Sequence, residues 1–111
     1  MKIERQRVGT VDVLRPTGAL VEEDAQAFTQ TLGERLRTGN PRLVVALQDV
    51  PYMDSQAIEG LLDATEALHA QGGSLRLAQV SPTCREILEL TGVTENFFLF
   101  DDVPSAVKSF L

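Results

Sequence analysis

The sequence predicts a single α/β domain with a mixed, mostly parallel five-stranded sheet and about four helices. Short apolar segments alternate with segments whose apolar residues recur at helical spacing, in the order β-β-α-β-α-β-α-β-α. The 111 residues contain no linker-like stretch, so one domain is expected to span residues 1–111. A hydrophobic fraction of 43% is sufficient for a core. Since the first two strands form a hairpin, the first should lie antiparallel at one edge.

The chain begins with this hairpin. Residues Lys2–Val8 alternate weakly between apolar and charged side chains, which is typical of an exposed edge strand. Gly9 and Thr10 fit a two-residue turn, because glycine accepts a positive φ at the first central position. Residues Val11–Arg15 form the returning strand. We expect Pro16 to end it, because proline has no N–H for the ladder.

The first helix follows a loop at Thr17–Leu20. The acidic run Glu22–Asp24 fits the start of a helix, where carboxylates interact favourably with the positive end of the helix dipole. Gly39-Asn40-Pro41 ends this helix, because glycine tolerates left-handed geometry and proline cannot continue a helix. The buried stripe expected on the helix is Ala25, Phe28, Leu32 and Leu36.

The central strand and helix surround a short polar turn. Residues Leu43–Leu47 are continuously apolar, as expected for a strand buried on both faces. An amphipathic pattern then begins, and its expected buried residues are Ile58, Leu61, Leu62, Thr65 and Leu68. Asp54 and Ser55 lie between the two segments. The carboxyl end of a strand is where binding and chemistry tend to collect in open α/β sheets.

The remaining chain repeats the order of strand and helix twice. After a stop at Gly72-Gly73, a strand at Ser74–Val80 leads to a helix that Ser81 is expected to cap, followed by proline in the first turn. The apolar run Phe97–Phe100 is the last strand, and Asp102 should cap the final helix. The residues expected to point inward on these two helices are Ile87, Leu88, Val103, Val107 and Phe110.

The composition argues against several classes of partner. A net charge of −6 without any run of Lys or Arg disfavours nucleic acid and anionic lipid. No apolar run approaches the roughly 18–20 residues of a membrane helix, and the first residues are too polar for a signal peptide. Cys84 is the single cysteine and cannot form an internal disulfide, which fits a reducing cytosol. We therefore expect a cytoplasmic protein that neither binds nucleic acid nor inserts into membranes.

The sequence also argues against catalysis. The one histidine, His69, lies on the same helix as Ser55, about 20 Å away at 1.5 Å per residue, so it cannot serve as its base within one subunit. The chain has no nucleophile elbow, no phosphate-binding glycine loop and no cluster with metal-ligand spacing. A solvated residue near a helix end is the favoured interpretation of His69. We predict no enzyme, no catalytic residue, no metal site and no cofactor.

Asp54 and Ser55 have two interpretations. Either side chain can cap the helix that follows, which would explain both without any function. The preceding segment Val50–Met53 is partly apolar and leads into an exposed turn, which is the kind of surface that a partner protein can contact.

The segment Leu43–Leu61, LVVALQDVPYMDSQAIEGL, resembles the signature of the STAS domain family, the bacterial anti-sigma factor antagonists. The resemblance extends to the segments GSLRL at Gly73, SP at Ser81, LTGV at Leu90 and FDDV at Phe100, and thus covers essentially the whole chain. It implies that family's fold, whose order of elements agrees with the order deduced above.

The resemblance implies that Ser55 is the site a partner kinase phosphorylates and that Asp54 is the aspartate preceding it. The unphosphorylated domain would dock on a switch kinase or anti-sigma factor, and phosphate, which adds about −1.5 to −2 charges, would abolish docking. The docking segments would be the Tyr52–Ile58 turn and the Thr17–Val21 loop. Within them the expected partner-binding residues are Thr17, Gly18, Leu20, Val21, Tyr52, Met53, Asp54, Ser55, Gln56, Ala57 and Ile58.

The chain departs from the family pattern in both segments. The family has serine or threonine and then glycine after the phosphorylated serine, where this chain has Gln56 and Ala57; a methyl group there could hinder close approach of a kinase. The family's Gly-x-Leu-Asp reads Gly18-Ala-Leu-Val21, and valine cannot replace the aspartate's charge.

Several alternatives therefore stay open. Ser55 is phosphorylated by another kinase or not at all. The domain could instead be a constitutive scaffold or transporter-associated subunit, with Ser55 as a cap only, or a small-ligand or nucleotide binder at the same strand ends. A homodimer is also compatible with the sequence.

Overall fold

A computed structural model describes residues 1–111 and contains one five-stranded sheet in the order β1-β2-β3-β4-β5. The strands are β1 (Lys2–Val8), β2 (Val11–Thr17), β3 (Arg42–Ala46), β4 (Ser74–Ala78) and β5 (Phe98–Phe100). The helices are α1 (Glu22–Leu36), α2 (Ser55–Ala70), α3 (Pro82–Leu90) and α4 (Val103–Lys108), with a short 3-10 turn at Thr94–Asn96. β1 is antiparallel to β2 and all other neighbours are parallel, which confirms the predicted mixed sheet.

The hairpin confirms the predicted turn but corrects the end of β2. Gly9 has a φ of 62°, as expected. Pro16 does not end the strand: β2 continues to Thr17, and Pro16 lies opposite Ile3 of β1. Hydrogen-bonded and non-hydrogen-bonded pairs alternate from the turn, so the missing N–H of Pro16 faces away from β1. Pairing between β2 and β3 has already ended at Leu14, so no ladder bond is lost there.

The sheet separates two cores of unequal size. Leu43 and Val45 of β3 pack in the larger core, beneath α1, α2 and α3, whereas Val44 and Ala46 point to the opposite face, which α4 covers. The crossover helices share one face because each connection between parallel neighbours has the same hand. None of the helices combines the length and the apolar character needed to span a bilayer.

Helix α1 buries one charged side chain that the apolar pattern did not predict. Ala25, Phe28 and Leu32 lie in the core as expected, while Leu36 is only half-buried. Arg35 is the fourth buried residue, 8% exposed, and its Nε lies 2.6 Å from a carboxylate oxygen of Asp12 on β2. A buried guanidinium requires such a partner, because removing an unpaired charge from water is costly.

The buried face of helix α2 differs slightly from the predicted one. Ile58, Leu61 and Leu68 are buried, but Ala64 takes the inward position that we assigned to Thr65. Thr65 is half-buried and its hydroxyl donates to the Leu61 carbonyl at 2.8 Å. Small residues on this face allow α2 to pack closely against α1, and a Cβ at Gly60 would lie 2.5 Å from Thr29 Oγ1.

The later elements begin where the capping residues predicted. Ser81 Oγ accepts from the Cys84 amide at 3.3 Å at the start of α3, and the Asp102 carboxylate accepts from the Ser105 amide at 2.7 Å at the start of α4. β4 ends at Ala78, two residues earlier than predicted, because Gln79 adopts a φ of 56° that leaves the extended region. The predicted inward residues Leu88 and Val103 are buried, whereas Ile87, Val107 and Phe110 are half-buried.

Candidate functional site

Two segments that are far apart in the sequence form one surface at the carboxyl edge of the sheet. The Leu20 amide donates to the Tyr52 carbonyl at 2.8 Å, and the Asp54 amide donates to the Leu20 carbonyl at 2.9 Å. The Gly18 amide donates to the Asp49 carbonyl at 2.9 Å, and Gly18 has a φ of 103° that favours glycine. The loop before α1 and the loop before α2 are therefore fixed to each other.

The carboxylate of Asp54 ties the starts of two helices together. Its Oδ1 accepts from the Ala57 amide at 3.0 Å and so caps α2. Its Oδ2 accepts from the Glu22 amide at 2.8 Å, at the first residue of α1. Glu22 adopts a φ of 51°, which is rare for a residue with a side chain. The sequence does not predict this contact, because a glutamate at this position gives no indication that its backbone adopts a left-handed conformation.

These hydrogen bonds lower the pKa of Asp54 from its ordinary value. The largest cause is the bond from the Glu22 amide, which stabilises the ionised carboxylate. Partial desolvation acts in the opposite direction, and the bond from the Ala57 amide adds to the lowering. Asp54 therefore places a fixed negative charge next to Ser55 at neutral pH.

Ser55 is the first residue of α2 and its side chain is exposed. Asp54, not Ser55, is the residue that caps the helix. The capping role that the scaffold alternative assigned to Ser55 is therefore wrong, whereas the scaffold alternative itself stays open. The Ser55 hydroxyl takes no part in the hydrogen bonds that join the two loops. It can therefore be modified without breaking them.

Four residues of the predicted docking set do not reach the surface. Leu20, Met53, Ala57 and Ile58 are at most 6% exposed and belong to the larger core. This corrects the prediction that they contact a partner directly: they hold the two loops from below. The methyl group of Ala57 points inward, so the expectation that it obstructs a kinase also fails.

The remaining residues of the set form what we call the loop surface. Tyr52 is 48% exposed. The other members are the exposed Thr17, Ser55 and Gln56 and the half-buried Gly18, Val21 and Asp54. Neither loop contains a lysine or arginine, and exposed carboxylates of Glu22 and Asp49 adjoin the surface. The loop surface is thus acidic with one exposed aromatic ring.

Helix α3 supports the loop surface from the side. The Ser81 hydroxyl donates to the Val50 carbonyl at 2.9 Å, and the Cys84 thiol donates to the same oxygen at 3.3 Å. Burial raises the pKa of the Cys84 thiol, so it remains protonated and acts as a donor. Nothing in the sequence predicts this contact between Cys84 and the Val50 carbonyl, because the two residues are 34 positions apart.

The loop surface does not have the shape of a catalytic or small-ligand site. Four cavities occur in the structure, and no residue of the two loops lines any of them. His69 is exposed near the opposite end of α2 and is not brought to Ser55. No group of three His, Cys, Asp or Glu side chains is placed to hold a metal ion.

Comparisons with known proteins agree on one family of relatives. The sequence model of the STAS domain matches residues 2–106. An anti-sigma F factor antagonist from Paenibacillus polymyxa is 20% identical over 108 residues, covering 96% of this chain and 92% of the relative.

Two solved structures show the same fold in different settings. The anti-sigma factor antagonist SpoIIAA of Bacillus, in its unphosphorylated form, has a TM-score of 0.83 at 18% identity and covers 98% of this chain and 96% of its own. The murine solute carrier 26 anion transporter A9 has a TM-score of 0.77 at 17% identity, and the match covers 93% of this chain but 18% of the transporter.

Proposed function

The chain belongs to the STAS domain family, and from this premise we propose that it is a regulatory domain of the anti-sigma factor antagonist type. It docks on a protein partner, a switch kinase or anti-sigma factor, through the loop surface. Phosphorylation of Ser55 switches docking off. The proposal rests on Ser55, which is exposed, does not cap α2 and belongs to the loop surface.

The charges around Ser55 explain how a phosphate would act. Phosphoserine adds about −1.5 to −2 charges to a surface that a partner must desolvate. Asp54 is already ionised beside it, and neither loop offers a lysine or arginine to neutralise the addition. The Ala57 amide already donates to Asp54, so an added phosphate would rely on the remaining amides of the first turn of α2. Phosphate therefore changes the loop surface without unfolding the domain.

A role without catalysis fits the same geometry. The one histidine of the chain, His69, lies at the far end of α2 and cannot serve Ser55 as a general base. A flat, acidic surface with an exposed tyrosine is suited to contact with a protein that presents cationic side chains, because oppositely charged patches steer association.

The test compares two glutamate substitutions at exposed hydroxyl residues in the first turns of helices. Ser55→Glu mimics the phosphate on the loop surface. Thr83→Glu places the same charge at the exposed start of α3, outside the loop surface, and is the matched control. Each variant is expressed in cells of the organism that the chain comes from and is cross-linked there to the proteins it contacts. The captured partners are then quantified by mass spectrometry.

We expect a kinase-like or anti-sigma partner to be recovered with the wild-type sequence and with Thr83→Glu. With Ser55→Glu the recovered amount of this partner should fall at least about tenfold. Equal recovery with both variants contradicts the switch. Thermal unfolding of both variants confirms that the difference does not arise from folding.

The likeness to the anion transporter favours a second candidate, a STAS module that contacts its partner constitutively. Such a module has no use for a switch at Ser55, so it predicts equal recovery of the partner with Ser55→Glu and Thr83→Glu. The third alternative, a small-ligand or nucleotide binder at the same strand ends, has less support because neither loop lines a cavity.

A further inference from the structure

The edge of the sheet opposite the loop surface carries a positively charged pocket. It lies where β3 and β4 begin and has a volume of about 340 Å³. Arg42 and Arg76 both line it, together with Ser74, Ser109 and the ring of Phe110. Two arginines in one small pocket contrast with the net charge of −6 of the chain.

Neither arginine is neutralised within the chain. The cations that form ion pairs are the terminal ammonium, Lys2, Arg5, Arg7 and Arg35. Arg42 donates to the hydroxyl of Thr10 at 2.6 Å, and Arg76 donates to the hydroxyl of Ser109 at 2.8 Å. These neutral acceptors orient the guanidinium groups and leave both positive charges uncompensated.

Aromatic rings hold Arg76 in place and shield it from water. Its guanidinium carbon lies 4.3 Å from the ring centre of Phe110 and 5.0 Å from that of Phe98, with Phe100 at 6.0 Å. The Arg76 Nε is buried and has no hydrogen-bond acceptor. Burial lowers the pKa of Arg76 with no carboxylate to oppose the effect. A partly desolvated cation without a carboxylate partner is a feature that an anion would complete.

The floor of the pocket is rigid. Gly73 packs on Pro41 so closely that a Cβ at this position would overlap the Pro41 backbone. The Ser74 amide donates to the Pro41 carbonyl at 2.8 Å, which fixes the start of β4 beside β3. The pocket is thus built by close backbone packing, and its two arginines project from neighbouring strands.

We propose that this pocket binds a small oxyanion of the phosphate class, free or as a monoester. The two unpaired guanidinium charges match the charge of a phosphate dianion, and their planar donors fit its oxygens. The Ser74 hydroxyl supplies a further donor in the same pocket. The site is separate from the loop surface and does not depend on the function proposed for Ser55.

The test is a titration with inorganic phosphate, followed by the backbone amide signals of Gly73, Ser74 and Ser109 in ¹H–¹⁵N NMR spectra. Chloride at equal ionic strength is the reference. Arg42→Gln removes one guanidinium from the pocket. Arg37→Gln is the matched control, because Arg37 is exposed at the end of α1 and does not line the pocket.

We expect saturable shifts at these amides, with affinity at least about tenfold weaker in Arg42→Gln, as for loss of one charge-assisted hydrogen bond, and unchanged in Arg37→Gln. Arg76→Lys keeps the charge but loses the planar donors, and should also weaken binding. Thermal unfolding of each variant shows that it is folded. Shifts that do not saturate, or equal losses in Arg42→Gln and Arg37→Gln, overturn the proposal.

A parallel titration distinguishes the two sources of phosphate. A nucleoside monophosphate that binds more tightly than inorganic phosphate identifies a monoester as the ligand, and equal affinity identifies free phosphate. The nucleoside without phosphate should leave the Gly73, Ser74 and Ser109 signals unchanged. If the nucleoside alone reproduces the shifts, the pocket does not recognise the anion and the proposal fails.

Discussion

Asp54→Ala removes both hydrogen bonds by which one carboxylate joins α2 to the start of α1. Loss of a helix cap costs about 1 kcal/mol. Loss of the charge-assisted bond from the Glu22 amide costs about 1.5 kcal/mol, at the low end of the usual range because the site is open to solvent. Relaxation of the left-handed backbone of Glu22 returns up to about 1 kcal/mol. We therefore expect a net loss of about 1.5 kcal/mol.

Urea denaturation measures this loss directly. With an unfolding entropy of about 2.1 cal/mol/K per residue, the same change lowers Tm by about 6 °C. A decrease below about 0.5 kcal/mol, the range of ordinary surface substitutions, would refute the structural role assigned to the carboxylate. Asp102→Ala is the control, because Asp102 caps α4 without a second helix as partner.

The pH dependence gives an independent check of the same contact. The folded-state pKa of Asp54 is depressed, so its contribution is present above the unfolded value of about 3.9 and is lost as pH falls through the lower folded value. Asp54→Asn removes this titration. The difference in free energy of unfolding between the wild-type sequence and Asp54→Asn should therefore be constant near neutral pH and shrink below about pH 4. A constant difference down to pH 2 would contradict the assignment.

The remaining predictions concern packing and the buried thiol. Gly60→Ala should destabilise the chain by about 1–3 kcal/mol in urea denaturation, because its methyl group meets Thr29 between α1 and α2. Gly33→Ala, at a position with open space on α1, should instead be neutral or stabilising by up to about 1 kcal/mol, and the reverse order would refute the packing. Cys84 should react slowly with a thiol reagent until urea unfolds the chain, because it is buried and its pKa is raised; rapid reaction of the native protein would contradict its place.

The order and type of the elements could be predicted because the chain marks them locally. Continuous apolar runs, glycine stops and hydroxyl or carboxylate caps are short-range signals, and Ser81 and Asp102 cap their helices as predicted. The end of β2 could not be predicted, because whether Pro16 breaks a strand depends on which neighbour is present on its N–H side. The burial of Arg35 likewise depends on Asp12, which is distant in the sequence.

The sequence predicted where the candidate site lies, but not which of its residues are exposed or how the two loops contact each other. The resemblance identified the two loops and Ser55, and the structure brings the loops together through Leu20, Tyr52 and Asp54. Burial of Met53 could not be deduced, because this residue precedes α2 and lies outside its period. Ala57 lies within α2, four residues before the buried Leu61, so its burial follows the helical period, which our docking assignment did not take into account. The bond from the Glu22 amide to Asp54 arises only from tertiary packing.

The most direct test of the central claim is to map the modification state of Ser55 in protein purified from its own cells under growth and stress. Intact mass spectrometry with phosphatase treatment, followed by peptide mapping, gives the answer. We expect a phosphatase-sensitive phosphate on Ser55 whose occupancy changes with conditions. A protein that stays unmodified under every condition, or a phosphate located only outside the loop surface, would contradict the switch.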